Sequence, residues 1–475
     1  MPKDLRTYLD QLAATAPEDI YVVSREVDPR FELTGVVAKL EQEQRFPAVF
    51  FRKVKGSDLP VLINLTASYN RLALSLDSTV QTMVQECARR EGNPRPMKEV
   101  GDADAPVKEV VIRGDDVDIT RLPITTHNEL DGGPYIGSAV LLQRDPDNGK
   151  VNAGIYRHQI HGPREIGLMQ NPANHGCYVT RKYEEAGKDQ QVALVIGHHP
   201  AFTMSGVAKV PGIGGELEVA GAYLNEPLEV TKGVTVDLPI PARAEIVVEG
   251  YVPAGRRHYE GPFGEWPHYY AKTGDQPVIV PTAILMRRDA IYQDIFAAHP
   301  EHNLVGALPR MGSIFRRVQE VVPTVKAVNL PYSGGGRVYC YISIRKTVDG
   351  EPKQAAFAAL VAEPNIKHCI VVDDDIDVFN EAEVLWAVAT RFEADRDMII
   401  MPNCLGSHLN PTAYTMNRDA HGYMQTKLIM DATRPTPPAY FPPVAKVPAE
   451  VMDRIDLNDY LEPFKGELRP AAVHA

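Results

Sequence analysis

The sequence predicts an α/β (α+β) chain in three successive parts, and three observations carry that reading. At 475 residues the chain exceeds the roughly 250–300 residues at which a single core stops growing, so two or three domains are expected. Both ends alternate strand patterns with amphipathic helix patterns, whereas the middle is dense in short strand-like runs punctuated by Gly and Pro. The polar, aperiodic stretch Gly101–Pro106 and the change of style after Pro323 then mark the divisions. They give an N-terminal α/β unit over 1–106, a β-rich region of barrel or sandwich character over 107–320, and a second α/β unit with a C-terminal arm and helix over 321–475.

In the first part, Leu5, Tyr8, Leu9 and Leu12 have the i, i+3, i+4, i+7 spacing of a helix over Asp4–Ala13. Tyr21–Val23, Ala48–Phe51 and Val61–Leu65 read as strands, and Phe31–Gln42 and Ser78–Arg90 as helices. The middle part holds strand runs at Val107–Ile112, Ala139–Leu142, Val192–Ile196, Glu245–Tyr251, Val278–Pro281 and Ala283–Met286. In the third part, Val338–Ile344 and His368–Val372 are strands, and Ala355–Val361 and Glu381–Phe392 are helices. Asn380 with Glu383 gives the second helix a capping-box-like start. Thr433–Pro443 is proline-rich, and Pro448–Leu461 has the pattern of one last amphipathic helix, suited to packing on a neighbouring subunit or on its own chain.

Composition limits the function classes. Hydrophobic residues at 44% and charged residues at 24% are ordinary for a soluble globular protein. The net charge of −12 argues against a general binder of nucleic acid or anionic membrane, though not against a small anionic substrate. The five scattered cysteines, with no C-x-x-C pair, fit reduced cytoplasmic thiols. Met1-Pro2-Lys3-Asp4-Leu5-Arg6 leads into no apolar signal region, and no run of about 18 apolar residues occurs, so a cytoplasmic protein is expected.

The stretch with most chemistry in it is Glu260-Gly261-Pro262-Phe263-Gly264-Glu265. It holds two carboxylates on a Gly-Pro-Phe-Gly spacer that resists both helix and regular strand. A rigid turn with an acid at each end aims two carboxyl groups at one volume, and acids held close push their pKa values apart, leaving one able to act as a general acid. A solvated turn with two surface glutamates is the plain alternative. Elsewhere, Asn152 and Arg157 in Asn152-Ala153-Gly154-Ile155-Tyr156-Arg157, the pair Asn174-His175, and Glu216 offer a carbonyl, a guanidinium, an imidazole and a carboxylate. Asn, His and Glu together suit a hard or borderline divalent ion; each could equally be structural. Lys427 is a candidate phosphate partner. The glycines at 212, 214 and 215 match neither a P-loop nor a dinucleotide fingerprint, and Ser333-Gly334-Gly335-Gly336 reads as a turn. Asp373-Asp374-Asp375-Ile376-Asp377 reads as loop and helix-start chemistry rather than a metal site, and His198-His199 lacks zinc spacing.

In this order, Asn-x-x-x-x-Arg, His, Glu-x-x-x-Ala-Gly, Glu-Gly-Pro-x-Gly-Glu and a late Lys closely resemble the UbiD-type decarboxylases, which use prenylated flavin mononucleotide. The resemblance runs along essentially the whole chain, including Pro29-Arg30-Phe31-Glu32-Leu33. It implies a split-barrel flavin-binding domain joined to an α/β oligomerisation domain. It implies that Asn152, His175 and Glu216 hold Mn²⁺ against the cofactor phosphate with K⁺ nearby. Asn152, Ile155, Tyr156, Arg157, Met169, Gln170, Asn174, His175, Glu216 and Lys427 would contact the cofactor. Arg157, Glu260 and Glu265 would form the catalytic network, with Glu265 the proton donor. The implied reaction is reversible, non-oxidative decarboxylation of an aromatic or heteroaromatic acid to CO₂. Its cofactor takes up electrons that the substrate alone cannot delocalise, and a glutamic acid protonates the carbon. A flavin prenyltransferase would supply the cofactor, and a homodimer or homohexamer would be the assembly, with no nucleic acid or membrane partner.

Substrate choice is read from Ala298–Arg310, whose Glu-His-x-Leu-x-Gly-x-x-Pro pattern looks like the loop beside the substrate in relatives acting on hydroxylated or heteroaromatic acids. His302 and Asn303 could bond a ring hydroxyl or N–H, and Arg310 could meet a second anionic group; alternatively Glu301 and His302 merely cap the local turn. Two rival functions remain: a flavin oxidoreductase using unmodified FMN, to which the acid–Arg–acid set has no evident use, and a non-catalytic cofactor-binding subunit, which need not keep its acids.

Overall fold

The computed structural model describes residues 2–461 and 463, apart from 173, 272, 417, 420 and 421, with the backbone alone for 414–416, 418, 419 and 422. The chain forms two compact units, Met1–Thr433 and Arg434–Ala475.

In the first unit, Ile20–Val27, Ala48–Val54 and Val61–Ile63 make a sheet whose fourth strand, Tyr292–Gln293, comes from far along the chain and pairs in parallel with Val61–Leu62. Its helices are Leu5–Thr15, capped by the Asp4 carboxylate, and Glu32–Gln42. The helix expected over Ser78–Arg90 begins only at Met83 and runs to Glu91. The Thr79 and Thr82 hydroxyls bond each other at 2.9 Å and Thr82 also bonds Thr79 backbone groups, competing with helical turns over those residues.

The middle of the chain builds a ten-stranded sheet around the long strand Gly274–Met286. The runs expected separately at Val278–Pro281 and Ala283–Met286 are both within it. It pairs with Val110–Arg113, Glu165–Gly167, Ile246–Val252 and Arg257–Glu260. The two ends of the sheet's path, Tyr135–Ile136 and Val151–Ile155, are not paired with each other among the described residues, so the sheet is open and split rather than a closed barrel. Period-2 alternation divides two cores across it. Ala193 and Val195 face one cluster while Val192, Leu194 and Ile196 face the other, and Val140 and Leu142 alternate likewise with Ala139 and Leu141. A strand buried on both faces reads as a continuous apolar run, which is how Val192–Ile196 reads in the sequence.

The largest local departure is Ala298–Arg310. It is not a loop but mostly the first half of one helix, Pro300–Val321. Pro300 sits in the first turn, where its missing N–H costs nothing, and the His299 ring accepts from the Glu301 N–H at 3.3 Å. Leu304, Val305, Leu308, Met311, Phe315 and Val318 form a buried stripe whose burial carries the helix through Pro309. The third sheet of note has Val325–Asn329, Tyr339–Ile344, His368–Asp373, Gly422–Ala432 and Met398–Leu405 in spatial order. Helices Glu351–Ala362 and Glu381–Arg391 accompany it; Asn380 accepts from the Ala382 N–H at 3.2 Å, while Glu383 pairs with the Asn380 side chain at 3.0 Å.

In the second unit, the single helix expected over Pro448–Leu461 is instead two four-residue helices, Ala449–Met452 and Leu457–Tyr460. The Asp456 carboxylate accepts from the Asn458 N–H at 2.9 Å, starting a new helix where the first would have continued. All five cysteines are free thiols. Among the described residues no helix is long and apolar enough to cross a membrane.

Candidate active site

The site is assembled where the Arg257–Glu260 hairpin strand ends. Glu260 is its last residue, in register with Gly274. Gly261 follows with φ +95° and a cis peptide to Pro262. Gly264 packs closely, a Cβ there lying 2.5 Å from the Asn128 side-chain Nδ2, so a larger residue would push Asn128 aside. The turn is pinned by Gly264 N–H to the Asp131 carboxylate at 2.9 Å and by Glu265 N–H to the Tyr269 carbonyl at 3.0 Å. It therefore presents both carboxylates toward Arg157, which lies on the extended segment between Val151–Ile155 and His158–Gly162.

Arg157 bridges the two acids: Nη1 to Glu265 Oε1 and Nη2 to Glu260 Oε2, each at 2.8 Å. Glu260 is 1% exposed and Glu265 13% at the side chain, so Glu265 is the one open to a bound molecule. The guanidinium lies 5.2 Å over the Phe263 ring. Burial pulls the Arg157 pKa down, but Glu265 and Glu260 outweigh it and the shift is upward, fixing the cation. The acids meet across a guanidinium rather than directly.

Two members of this network were missed in the sequence. The Tyr135 hydroxyl donates to Glu260 Oε1 at 2.9 Å, with the Gln159 carbonyl 3.1 Å away. Gln159 accepts from the Gly261 N–H at 2.9 Å and donates to the Gly132 carbonyl at 2.8 Å. Burial, then Glu260, pushes the Tyr135 hydroxyl pKa well up, so it stays a donor. Gln159 had a signal: it is two residues beyond Arg157 on extended chain and so shares its face.

Arg157 and Glu265 line a cavity of about 260 Å³ with Ile155, Tyr156, Met169, Asn174, His302 and Arg310. These residues, distant in sequence, are therefore brought together. Trp266, Arg337 and His408, absent from the sequence reading, line it too. The other candidates lie off the wall. Asn303 points its amide to His268 at 3.4 Å. Gln170 is held between Gln143 and Thr180. Lys427 is buried, its Nζ donating to the Pro364 carbonyl at 2.8 Å, and burial lowers its pKa. A larger cavity of about 1330 Å³ lies apart, and Glu218, not Glu216, lines it.

The metal candidates converge only in part. Glu216 opens the helix Glu216–Leu224, behind Gly214 and Gly215, whose φ values are +86° and +124°. Its buried carboxylate accepts from the Ala153 N–H at 3.3 Å and has no cationic partner among the described residues. Burial pushes its pKa up to about 7, the signature of an acid lacking a counter-charge. Asn152 is buried beside it on Val151–Ile155 with its Nδ2 unpartnered. Tyr156 links the set: its pKa, raised to about 12 first by burial, is also influenced by Asn152, the Gly176 backbone and Glu216. His175, the residue before Gly176, is exposed at the start of the helix His175–Glu185. No group of three His, Cys, Asp or Glu side chains among the described residues is placed to share an ion. Asn152 and Glu216 fit a hard cation as donors; His175 would have to turn inward to complete the set.

His199 caps the helix Pro200–Ser205 by accepting from the Ala201 N–H, and Arg391 pairs with Asp373 and Asp375 at 2.7 and 2.9 Å.

Three matches to known families cover the chain. Residues 13–91 match the N-terminal domain, 98–300 the Rift-related domain, and 303–432 the C-terminal domain of 3-octaprenyl-4-hydroxybenzoate carboxy-lyase. The chain belongs to the UbiD family and is a decarboxylase of that class. It is 35% identical over 91% of its length to an anhydromevalonate phosphate decarboxylase of Methanothermobacter thermautotrophicus, covering 97% of that protein. It is 33% identical to a phenolic acid decarboxylase of Sedimentibacter hydroxybenzoicus, covering 92% of each chain. Among solved structures it is similar to the UbiD-class enzyme HmfF of Pelotomaculum thermopropionicum in complex with FMN, with TM-score 0.89, 38% identity, and 96% and 100% of the two chains covered.

Proposed function

We propose that this chain catalyses reversible, non-oxidative decarboxylation of an aromatic or heteroaromatic acid with prenylated FMN, Glu265 serving as proton donor. The observation that carries the reading is Arg157 held at 2.8 Å by both Glu260 and Glu265 on the wall of the Ile155–Tyr156–Met169 cavity. FMN in the HmfF structure, and a phenolic acid as the named substrate of the Sedimentibacter relative, support the cofactor and substrate class.

Once bound, the cofactor supplies the electron sink for the breaking C–C bond. Arg157 keeps Glu265 aimed into the cavity while Tyr135 and Gln159 fix Glu260 behind it, so neither acid needs to reorganise during the reaction. Glu265 gives its proton to the carbon that has lost CO₂, and in the reverse direction takes it back. Asn152 and Glu216 would hold Mn²⁺ if His175 turned toward them, with K⁺ as a second ion, and the metal would offset the charge of the cofactor phosphate; Lys427 would have to leave the Pro364 carbonyl to contribute. The 107–320 region is the cofactor-binding part and 321–475 the oligomerisation part of a homodimer or homohexamer in the cytoplasm. A second reading, an enoyl acid carrying a phosphate, is favoured by the archaeal relative's name.

The test is co-expression with a flavin prenyltransferase, followed by cofactor mass, metal content and CO₂ release from a panel of aryl, heteroaryl and enoyl acids. CO₂ from aryl or heteroaryl acids with prenylated FMN bound is expected. Reduction or oxidation of the panel without CO₂ would replace this reading with an oxidoreductase.

A further inference from the structure

We propose that His127, fixed by Asp294, is a positioning residue for the Glu260–Glu265 turn, acting through Asp131, the carboxylate that holds the Gly264 N–H. The inference rests on the reading of Glu265 as proton donor and names what keeps that residue aimed.

The turn lies on the segment from Thr125 to Tyr135. The Gly132 N–H donates to the Pro262 carbonyl at 2.8 Å, and a Cβ on Gly132 would collide with the Gly261 carbonyl, so the two backbones are in contact. Asp131 joins them a second time: Oδ1 accepts from the Gly264 N–H and Oδ2 from the Asn128 N–H, each at 2.9 Å. Among the described residues no cation comes within ion-pair distance of this carboxylate.

The base of the segment is fixed by a buried pair. The His127 and Asp294 side chains are both fully buried, with His127 Nε2 2.7 Å from Asp294 Oδ2. The Thr125 hydroxyl donates to the same oxygen, and Asp294 Oδ1 accepts from the Ile295 N–H at 2.9 Å. The Asp294 N–H donates to the Leu62 carbonyl at 2.8 Å, which ties the pair to the N-terminal sheet. Pro29-Arg30-Phe31, to which the reaction gives no role, grips the segment from the same side. The Phe31 N–H donates to the Thr126 carbonyl and the Thr126 N–H to the Pro29 carbonyl, both at 3.2 Å, and Thr34 Oγ1 donates to the His127 carbonyl at 3.0 Å. Gly137 and Ile295, both on the cavity wall, pack beside the pair; a Cβ on Gly137 would lie 3.5 Å from His127 Cε1.

The pair carries charge. Burial pulls the His127 pKa down, but Asp294, then Asp131 and Glu301, outweigh it and the shift is upward. Asp131 has the opposite balance: burial pushes its pKa up, and the Asn128 and Gly264 N–H groups and then His127 pull it down without cancelling the rise. The other titratable groups facing His127 are on or beside the Pro300–Val321 helix. Burial lowers His299 and His302 to about 3, leaving them neutral, and raises Glu301 to about 7. His127 is therefore the positive charge on which Asp131 relies. Without it Asp131 takes up a proton at higher pH, and the Gly264 N–H loses its charged acceptor. Glu265, next in the chain, is then free to leave its 2.8 Å contact with Arg157.

The test combines His127→Gln with Asp294→Asn, because either change alone strands a buried charge. In the cofactor-loaded double variant kcat should fall roughly 10- to 100-fold with KM within about twofold, the scale on which a group misplaced by about 1 Å loses its effect. Flavin per protomer should be retained. The acid limb of kcat against pH should move up by about one unit, as expected when a nearby opposite charge is removed from a carboxylate. Adding Asp131→Asn should cancel that movement and cost little more kcat, since both changes act through one bond. On cofactor-free protein, amide hydrogen exchange in the peptide holding Gly264 should quicken by about 10-fold, the scale of one charge-assisted hydrogen bond. Asp131→Asn alone, which leaves the buried pair intact, should give the same fall in kcat and the same faster exchange, so the inference stays testable if the double variant does not fold. Wild-type kcat or exchange in either variant, a raised KM at unchanged kcat, an unmoved acid limb, or losses that multiply when the changes are combined would overturn it. Absence of CO₂ from wild type with every acid would reject the decarboxylase reading instead, with amide exchange still reporting on the Asp131 bond.

Discussion

Replacing Glu265 by Gln removes an ionisable carboxyl group while keeping the shape of the side chain. The structure separates what this should cost from what it should not. The amide oxygen can still accept from Arg157 Nη1 in place of the 2.8 Å ion pair, and the backbone bonds of residue 265, to Tyr269 and from His268, do not involve the side chain. Arg157 also keeps its bond to Glu260. The loss in stability should therefore be about 1 kcal/mol, the scale of one partly exposed charge-assisted bond weakened to a neutral one. Proton delivery has no such substitute, because an amide is no acid at neutral pH. A positioned general acid contributes roughly 10²–10⁴-fold, about 3–5 kcal/mol of barrier. Turnover of the loaded variant should fall by that factor, with flavin absorbance per protomer and the denaturant midpoint close to wild type. Turnover within a few-fold of wild type would remove Glu265 from proton transfer, and loss of the flavin would make its role structural.

Arg157→Leu strands the buried Glu260 with Tyr135 as its one remaining hydrogen-bond partner among the described residues and should destabilise the fold by about 3–5 kcal/mol in denaturant titrations, besides abolishing turnover. Tyr135→Phe removes the donor to Glu260 and should cost about 1–3 kcal/mol, with a fall in kcat larger than any change in flavin content. Glu216→Ala should empty the site of metal and flavin together, while Glu218→Ala, on the other cavity, should not; the reverse result would shift the ligand register by two. Glu301, fully buried and accepting three backbone N–H bonds, has its pKa raised by burial from 4.5 to about 7. Its raised folded-state value means that its contribution is fully present below about pH 4.5 and is lost as pH rises through 7. Wild-type stability should fall across that window relative to Glu301→Gln by a few kcal/mol, measured as unfolding midpoints from pH 4 to 8.

How much of this was legible in the sequence follows from which interactions are local. Glu260 and Glu265 sit five residues apart on a spacer that cannot form a helix, so their convergence is written into one turn, and the motif order brings in Arg157. Strand runs such as Val192–Ile196 were visible because a strand buried on both faces is continuously apolar. The Pro300–Val321 helix was half hidden, because Pro300, Gly306 and Pro309 look like breakers when burial of the Leu304–Val318 stripe is unknown. Tyr135 and Arg337 reach the site only through pairing of distant segments, and no local pattern marks them. Arg337 follows a glycine run that reads correctly as a turn, but what the turn is pressed against, Trp266 and Asn303, is a tertiary fact.

The central claim is that carbon dioxide leaves without oxidation and that the vacated carbon is protonated from within the site. The most direct measurement is turnover of the preferred acid by the loaded enzyme in D₂O, with the product examined by mass spectrometry and NMR. One deuterium at the carbon that bore the carboxylate, one equivalent of CO₂ per product, and loss of both in Glu265→Gln are expected. A product lacking deuterium at that carbon, or carrying oxygen there, would contradict the account.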